Sequence, residues 1–166
     1  MNVEPNDAIR VPAATLRELV RTLAERAGAV EAQATLLSEL LVGNDLRGVF
    51  SHGSRQMIDY ARLLRDGRLN PRPQVQILNE SAATLLVDGD AGLGYFPCWE
   101  AAHRLVTKAR EIGVAVAVTR NHGHFGAAGL YTRVAAAAGL IGYDTSGINS
   151  CFSRGRGRFR LPEARR

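Results

Sequence analysis

Only two cysteines, Cys98 and Cys151, occur in the 166 residues, and neither stands at a metal-ligand spacing. That excludes a disulfide framework and a cysteine-based zinc site, which need more sulfur at set intervals. No apolar run approaches the ~20 residues that cross a bilayer. Glu4, Asp7 and Arg10 precede any apolar stretch, unlike a secretory leader. The expectation is a soluble, cytoplasmic chain without membrane contact. The tight Gly-x-Gly of a dinucleotide fingerprint is missing as well. Gly123, Gly126 and Gly129 lack that spacing, and no acidic residue closes a following strand at the usual interval, so a standard Rossmann site is not expected. Excess basic charge is absent from residues 1–150, which are electrically balanced. The net +5 comes from residues 151–166, where six arginines face Glu163 alone. This Arg/Gly-rich tail cannot bury enough apolar surface to offset its ordering entropy, and disorder is expected there.

What is present is a 46% hydrophobic chain, enough for one compact core. Its composition divides it into a helical segment (1–69), an α/β segment (70–150) and the tail (151–166). Leu16, Leu19, Val20 and Leu23 recur at helical spacing after Pro12, and Gly28 supplies a stop. A second helix is predicted over about 30–42 and a third from His52 or Gly53 to Gly67. Residues 75–78 and 83–87 read as two short strands, with Asn79, Glu80 and Ser81 as a hairpin loop. The glycine-rich turn from Asp88 to Gly94 follows. Its aspartates suit turn chemistry better than a metal cage, which needs more oxygen ligands. A helix is predicted over 96–112, then a strand at 114–118 buried on both faces. A helix over 126–138 and a second buried strand at 140–143 would complete a parallel, right-handed crossover. The fold class is α/β: helices first, then a mixed, non-Rossmann sheet with helices.

Chemistry concentrates in two places. Asp45 to Gly53 sets His52 between Ser51 and Gly53, and imidazole exchanges protons near neutral pH. The loop from Arg120 to Phe125 carries His122 and His124 ahead of a glycine-rich helix start, whose free N–H groups suit an anion. His122 reads mainly as a loop-shaping residue, His103 as a surface residue, Tyr95 and Trp99 as packing, and Cys98 as a small buried side chain.

Five blocks in order, Asp45 to Gly53, Asn70 to Pro73, Val87 to Gly94, His124 to Gly129 and Gly139 to Gly142, make the chain similar to one family. It resembles the malate/L-lactate dehydrogenases unrelated to the Rossmann lactate dehydrogenases, a group that includes sulfolactate and ureidoglycolate dehydrogenases, 2,3-diketogulonate reductases and cyclic imino-acid reductases. The resemblance implies hydride transfer between NAD or NADP and C2 of a 2-oxo or 2-hydroxy acid. It implies His52 as the proton donor or acceptor, with Ser51 in the same pocket. His124 would lie near substrate and nicotinamide, and Gly126 beside the cofactor. A homodimer is implied too. Many members place a carboxylate-binding arginine four residues after the histidine, where this chain has Gln56; Arg55 stands one position earlier. One residue on a helix is a rotation of about 100°, so Arg55 is the first candidate and Arg47 the second.

The resemblance covers residues 10–148, whereas the family is about twice as long and builds much of its nicotinamide site from a second half. The expectation is therefore the N-terminal part of such an enzyme, cut short or shifted in frame near Asn149. A rival reading makes the chain a non-catalytic dimerisation fragment. A third takes the Arg-Gly tail as an arm on nucleic-acid phosphates, which nothing in the neutral body supports.

Overall fold

A computed structural model describes residues 9–146 of the chain. The arginine-rich tail, and with it the nucleic-acid reading, lies outside the described residues. Five α-helices and a three-stranded sheet are formed among the described residues. Helix α1 (Ala13–Arg26) starts behind Pro12 and ends at Gly28, whose φ of +103° is left-handed, as expected of a helix stop. It buries Val20 and Ala24 against α2 (Glu31–Asp45). Helix α2 runs three residues past its expected end because Gly43 and Asn44 are themselves interior. Leu37, Leu41, Met57, Tyr60, Leu93 and Tyr95 form the centre of the main core, each at most 2% exposed. Fully burying one such side chain contributes about 1.5–3 kcal/mol.

The third helix starts later than its periodicity predicts. Gly53 is extended (φ −91°, ψ −160°) and divides the segment into two single 3-10 turns, Phe50–His52 and Ser54–Gln56. Helix α3 (Met57–Arg65) begins only after them, with Met57, Tyr60 and Leu64 on its buried face.

Strands β1 (Gln76–Glu80) and β2 (Thr84–Asp88) pair antiparallel, as the sequence predicts, with a bulge between Ile77 and Asn79. Asn79 and Glu80 belong to β1 rather than to the loop. The turn is made by Ser81, whose Oγ accepts from the Thr84 N–H at 3.0 Å. Helix α4 (Tyr95–Ile112) packs on the sheet face that carries Leu85 and Val87, burying Ala101 there, and closes at left-handed Gly113. Strand β3 (Val116–Arg120) then pairs parallel with β2.

Two expectations for the remaining chain are corrected. The run at 114–118 is not buried on both faces: β3 is the sheet edge, α4 covers one side, and Val116 and Val118 are more than half exposed. Residues 140–143 form no strand. The Leu140 N–H instead bonds back to Ala135 and closes α5 (Gly129–Ala137), leaving Ile141 fully exposed. The parallel crossover exists, but it is β2–α4–β3. Helix α5 also begins three residues late, because Gly126 at φ +82° cannot join a right-handed helix.

Candidate active site

The segment around His52 is held mainly by two side chains at the end of α2. Asn44, fully buried, donates its Nδ2–H to the His52 carbonyl at 2.9 Å. The Asp45 carboxylate accepts from the Ser54 N–H at 2.8 Å and caps the second 3-10 turn. Gln56 donates to the Ser51 carbonyl at 2.6 Å. These bonds turn the chain so that the Ser51 hydroxyl lies 2.8 Å from His52 Nδ1.

The loop of His124 is clamped by backbone. Gly89 N–H donates to the Arg120 carbonyl, Ala91 to Asn121, Gly123 to Gly92, and Gly94 to His124, at 2.8 to 3.0 Å. A Cβ at Gly94 would lie 2.5 Å from the His122 ring and 2.7 Å from Phe125, so the two segments approach this closely only with glycine there. Asp88 anchors the same frame. It accepts from Asn121 and from the Asp90 N–H, and it pairs with Arg120 at 3.0 Å. Burial opposes its charge, yet the Asn121 and Asp90 donors hold its carboxyl below the ordinary range. Asp90 accepts from Asn70 and from the Gln74 N–H, so both aspartates serve the turn. Among the described residues, no group of three or more His, Cys, Asp and Glu is placed to hold a metal ion.

These two frames bring the imidazoles of His52 and His124 to 5.5 Å, centroid to centroid, tilted by 32°. His124 Nδ1 lies 2.6 Å from the Tyr60 hydroxyl, which is itself 3.0 Å from the Tyr95 hydroxyl. Burial, and secondarily the neighbouring His52, lower the His124 pKa below its ordinary value, so the ring is neutral at neutral pH. Among the described residues neither Nε2 has a hydrogen-bond partner. Each ring is tied at Nδ1 and keeps one nitrogen for exchange, an arrangement suited to moving a proton to or from a small polar molecule.

The other candidates are placed differently. Arg55 is exposed on the second 3-10 turn. Arg47 folds back onto the Gly43 carbonyl and borders an open apolar groove of about 850 Å³ among α2, α4 and α5. Neither His52 nor His124 lines that groove. His122 accepts from Thr119 and donates to the Gly123 carbonyl, which fits a loop-shaping role. His103 is exposed and edges Trp99 at 4.8 Å. Cys98 sits 3.4 Å from Thr119 Oγ1, and burial pushes its thiol up to about 11.

The glycine-rich turn from Asp88 to Gly94 does not form a cradle for a dinucleotide. The N–H groups of Gly89, Ala91, Gly92 and Gly94 all donate to protein carbonyls, so none is left for a pyrophosphate. At Gly126 the space beside Cα is filled by the Tyr95 ring, 2.5 Å from where a Cβ would stand.

Sequence reasoning missed Tyr60, Asn44 and Asp45 as parts of the site. Tyr60 falls on the apolar stripe of α3 with Met57 and Leu64 and reads as core. Its signal was the phenol itself, because a buried tyrosine needs a partner for its hydroxyl.

This α/β fold, without a Rossmann domain, is shared with solved dehydrogenases. It superposes on malate dehydrogenase from Pyrococcus horikoshii with a TM-score of 0.76 at 32% identity, covering 81% of this chain and 39% of that one. On sulfolactate dehydrogenase from Methanocaldococcus jannaschii the TM-score is 0.72 at 35% identity, covering 76% and 37%. The family described as malate/L-lactate dehydrogenase matches residues 11–153, and the chain belongs to it. In sequence, the Methanocaldococcus jannaschii L-sulfolactate dehydrogenase is 36% identical over 126 residues, 76% of this chain and 37% of that protein. The Pyrococcus horikoshii malate dehydrogenase is 34% identical over 134 residues, 81% and 37%. The chain thus spans less than two-fifths of the length of these relatives. No helix among the described residues is long and apolar enough to cross a membrane.

Proposed function

We propose that the chain supplies the proton-transfer part of an NAD- or NADP-dependent oxidoreductase interconverting 2-oxo and 2-hydroxy acids. The observation that carries this reading is the His52–His124 pair, 5.5 Å apart and each tied at Nδ1. Reduction of a ketone needs a proton at oxygen as the carbon is reduced, and an imidazole provides it near neutral pH. His52 is assigned as that donor, and as acceptor in the reverse direction, with Ser51 orienting its ring. His124, neutral and half-buried, is assigned to the substrate side, next to the nicotinamide, with Gly126 in the same loop. Arg55, exposed on the second 3-10 turn, is assigned to the substrate carboxylate, which a guanidinium binds bidentately. The name of the Escherichia coli relative ureidoglycolate dehydrogenase (NAD(+)), 28% identical over 134 residues, supports the choice of carrier.

The test is oxidation of NADH and NADPH by the full chain with a panel of small 2-oxo acids. Turnover abolished by His52→Ala, with an unchanged circular dichroism spectrum, supports the reading; undiminished turnover in that variant refutes the His52 assignment.

One observation favours a second reading, a non-catalytic fragment that associates with itself. The outer sheet face exposes Leu78, Val116 and Val118, an apolar surface that a second copy could cover. A folded, self-associating chain that binds neither NADH nor NADPH would support it.

A further inference from the structure

We infer that Tyr95 and Tyr60 form a directional hydrogen-bond chain that fixes the proton of His124 on Nε2, making both tyrosines positioning residues for this imidazole. The inference rests on the reading of His124 as a site residue, and it adds the device that orients its exchangeable proton.

The argument is an inventory of donors. Tyr95 is fully buried, and among the described residues its hydroxyl meets only the Tyr60 hydroxyl, at 3.0 Å. Tyr60, 2% exposed, meets Tyr95 and, at 2.6 Å, His124 Nδ1. Two phenol protons must be placed in this chain. If Tyr95 donates to Tyr60 and Tyr60 donates to Nδ1, both protons are used and Nδ1 is an acceptor. Neutral imidazole then carries its proton on Nε2. If instead Nδ1–H donates to Tyr60, one phenol proton, that of Tyr95 or that of Tyr60, is left without a partner in the core, at the desolvation cost of an unsatisfied buried donor. The arrangement in which Tyr95 donates to Tyr60 and Tyr60 to Nδ1 is selected by burial of both phenols.

The phenols suit this task because they stay protonated. Burial, followed by the neighbouring phenols, raises Tyr60 far above the ordinary tyrosine range, and burial raises Tyr95 to about 12. The titratable groups facing the chain are His52 across from His124, Tyr131 from α5, and Asp59 on α3. None of them is hydrogen-bonded to either phenol. The two rings also pack edge-on, with centroids 5.8 Å apart at 72°.

The test is nitrogen-15 NMR of the histidine rings in the full chain, without substrate, in wild type, Tyr60→Phe and Tyr95→Phe. The expected wild-type spectrum shows His124 protonated on Nε2, with Nδ1 shifted as a hydrogen-bond acceptor. That acceptor shift should disappear in Tyr60→Phe and weaken in Tyr95→Phe, with the ring resonances of His103 unmoved. His124 protonated on Nδ1 in wild type, or an Nδ1 resonance unchanged by Tyr60→Phe, overturns the inference. Tyr95→Phe keeps the ring that fills the space beside Gly126, so it serves if Tyr60→Phe fails to fold. Because the spectrum is read without turnover, an inactive chain with the expected tautomer would sink the proposed activity and leave this inference standing.

Discussion

The carboxylate of Asp45 fills the space beside Gly53 that a side chain there would need: a Cβ on residue 53 would lie 1.6 Å from Asp45 Oδ1. The same carboxylate caps Ser54, so Gly53 and Asp45 act as one unit next to His52. Gly53→Ala is therefore expected to destabilise the fold by about 1–3 kcal/mol, the usual cost of overpacking. A lowered denaturation midpoint, with perturbed His52 ring resonances, checks it.

Asn44→Ala removes the only side chain donating to the His52 carbonyl among the described residues. Leaving that partly buried acceptor unpaired should cost about 1–3 kcal/mol. Urea unfolding with an unchanged slope and a lower midpoint is the expected result.

For His124 the sign of the pH dependence follows from its depressed pKa. The unfolded chain takes up this proton near the ordinary value of 6.5, before the folded chain does. The contribution to stability is complete above that value and is lost as pH falls through the folded pKa. His124→Gln should flatten this limb of a plot of melting temperature against pH; an unaltered slope would contradict the assignment.

Cys98, its thiol pushed up to about 11, should react slowly with a disulfide reagent at neutral pH in a Cys151→Ser background. Release in denaturant should be fast. Rapid labelling of the folded chain would show that the thiol is neither buried nor protonated.

Val116 and Val118 stand on the uncovered face of β3. Val116→Thr combined with Val118→Thr keeps the β-branched shape while lowering apolar exposure. Sedimentation should show less self-association with an unchanged circular dichroism spectrum.

The helices and the antiparallel hairpin were legible because their apolar periodicity and their glycine stops are local signals. His52 and His124 stood out as candidates because few side chains titrate near neutrality. The outer face of β3 was not, since an apolar run states what a strand can bury and not what covers it. The run at 140–143 misled for the same reason: Gly139, left-handed at φ +75°, turns it back along α5 instead of into the sheet. The coupling of Tyr60 to His124 joins residues 64 positions apart. No spacing rule within one element could have found it.

Four main-chain bonds, alongside the side-chain contacts of Asp88, hold the loop of His124 to the glycine turn. Main-chain groups are the same whatever residue carries them, so this part of the anchor does not depend on which side chains the loop carries. A scaffold of this kind can drift in what it recognises and retain the atom that exchanges the proton.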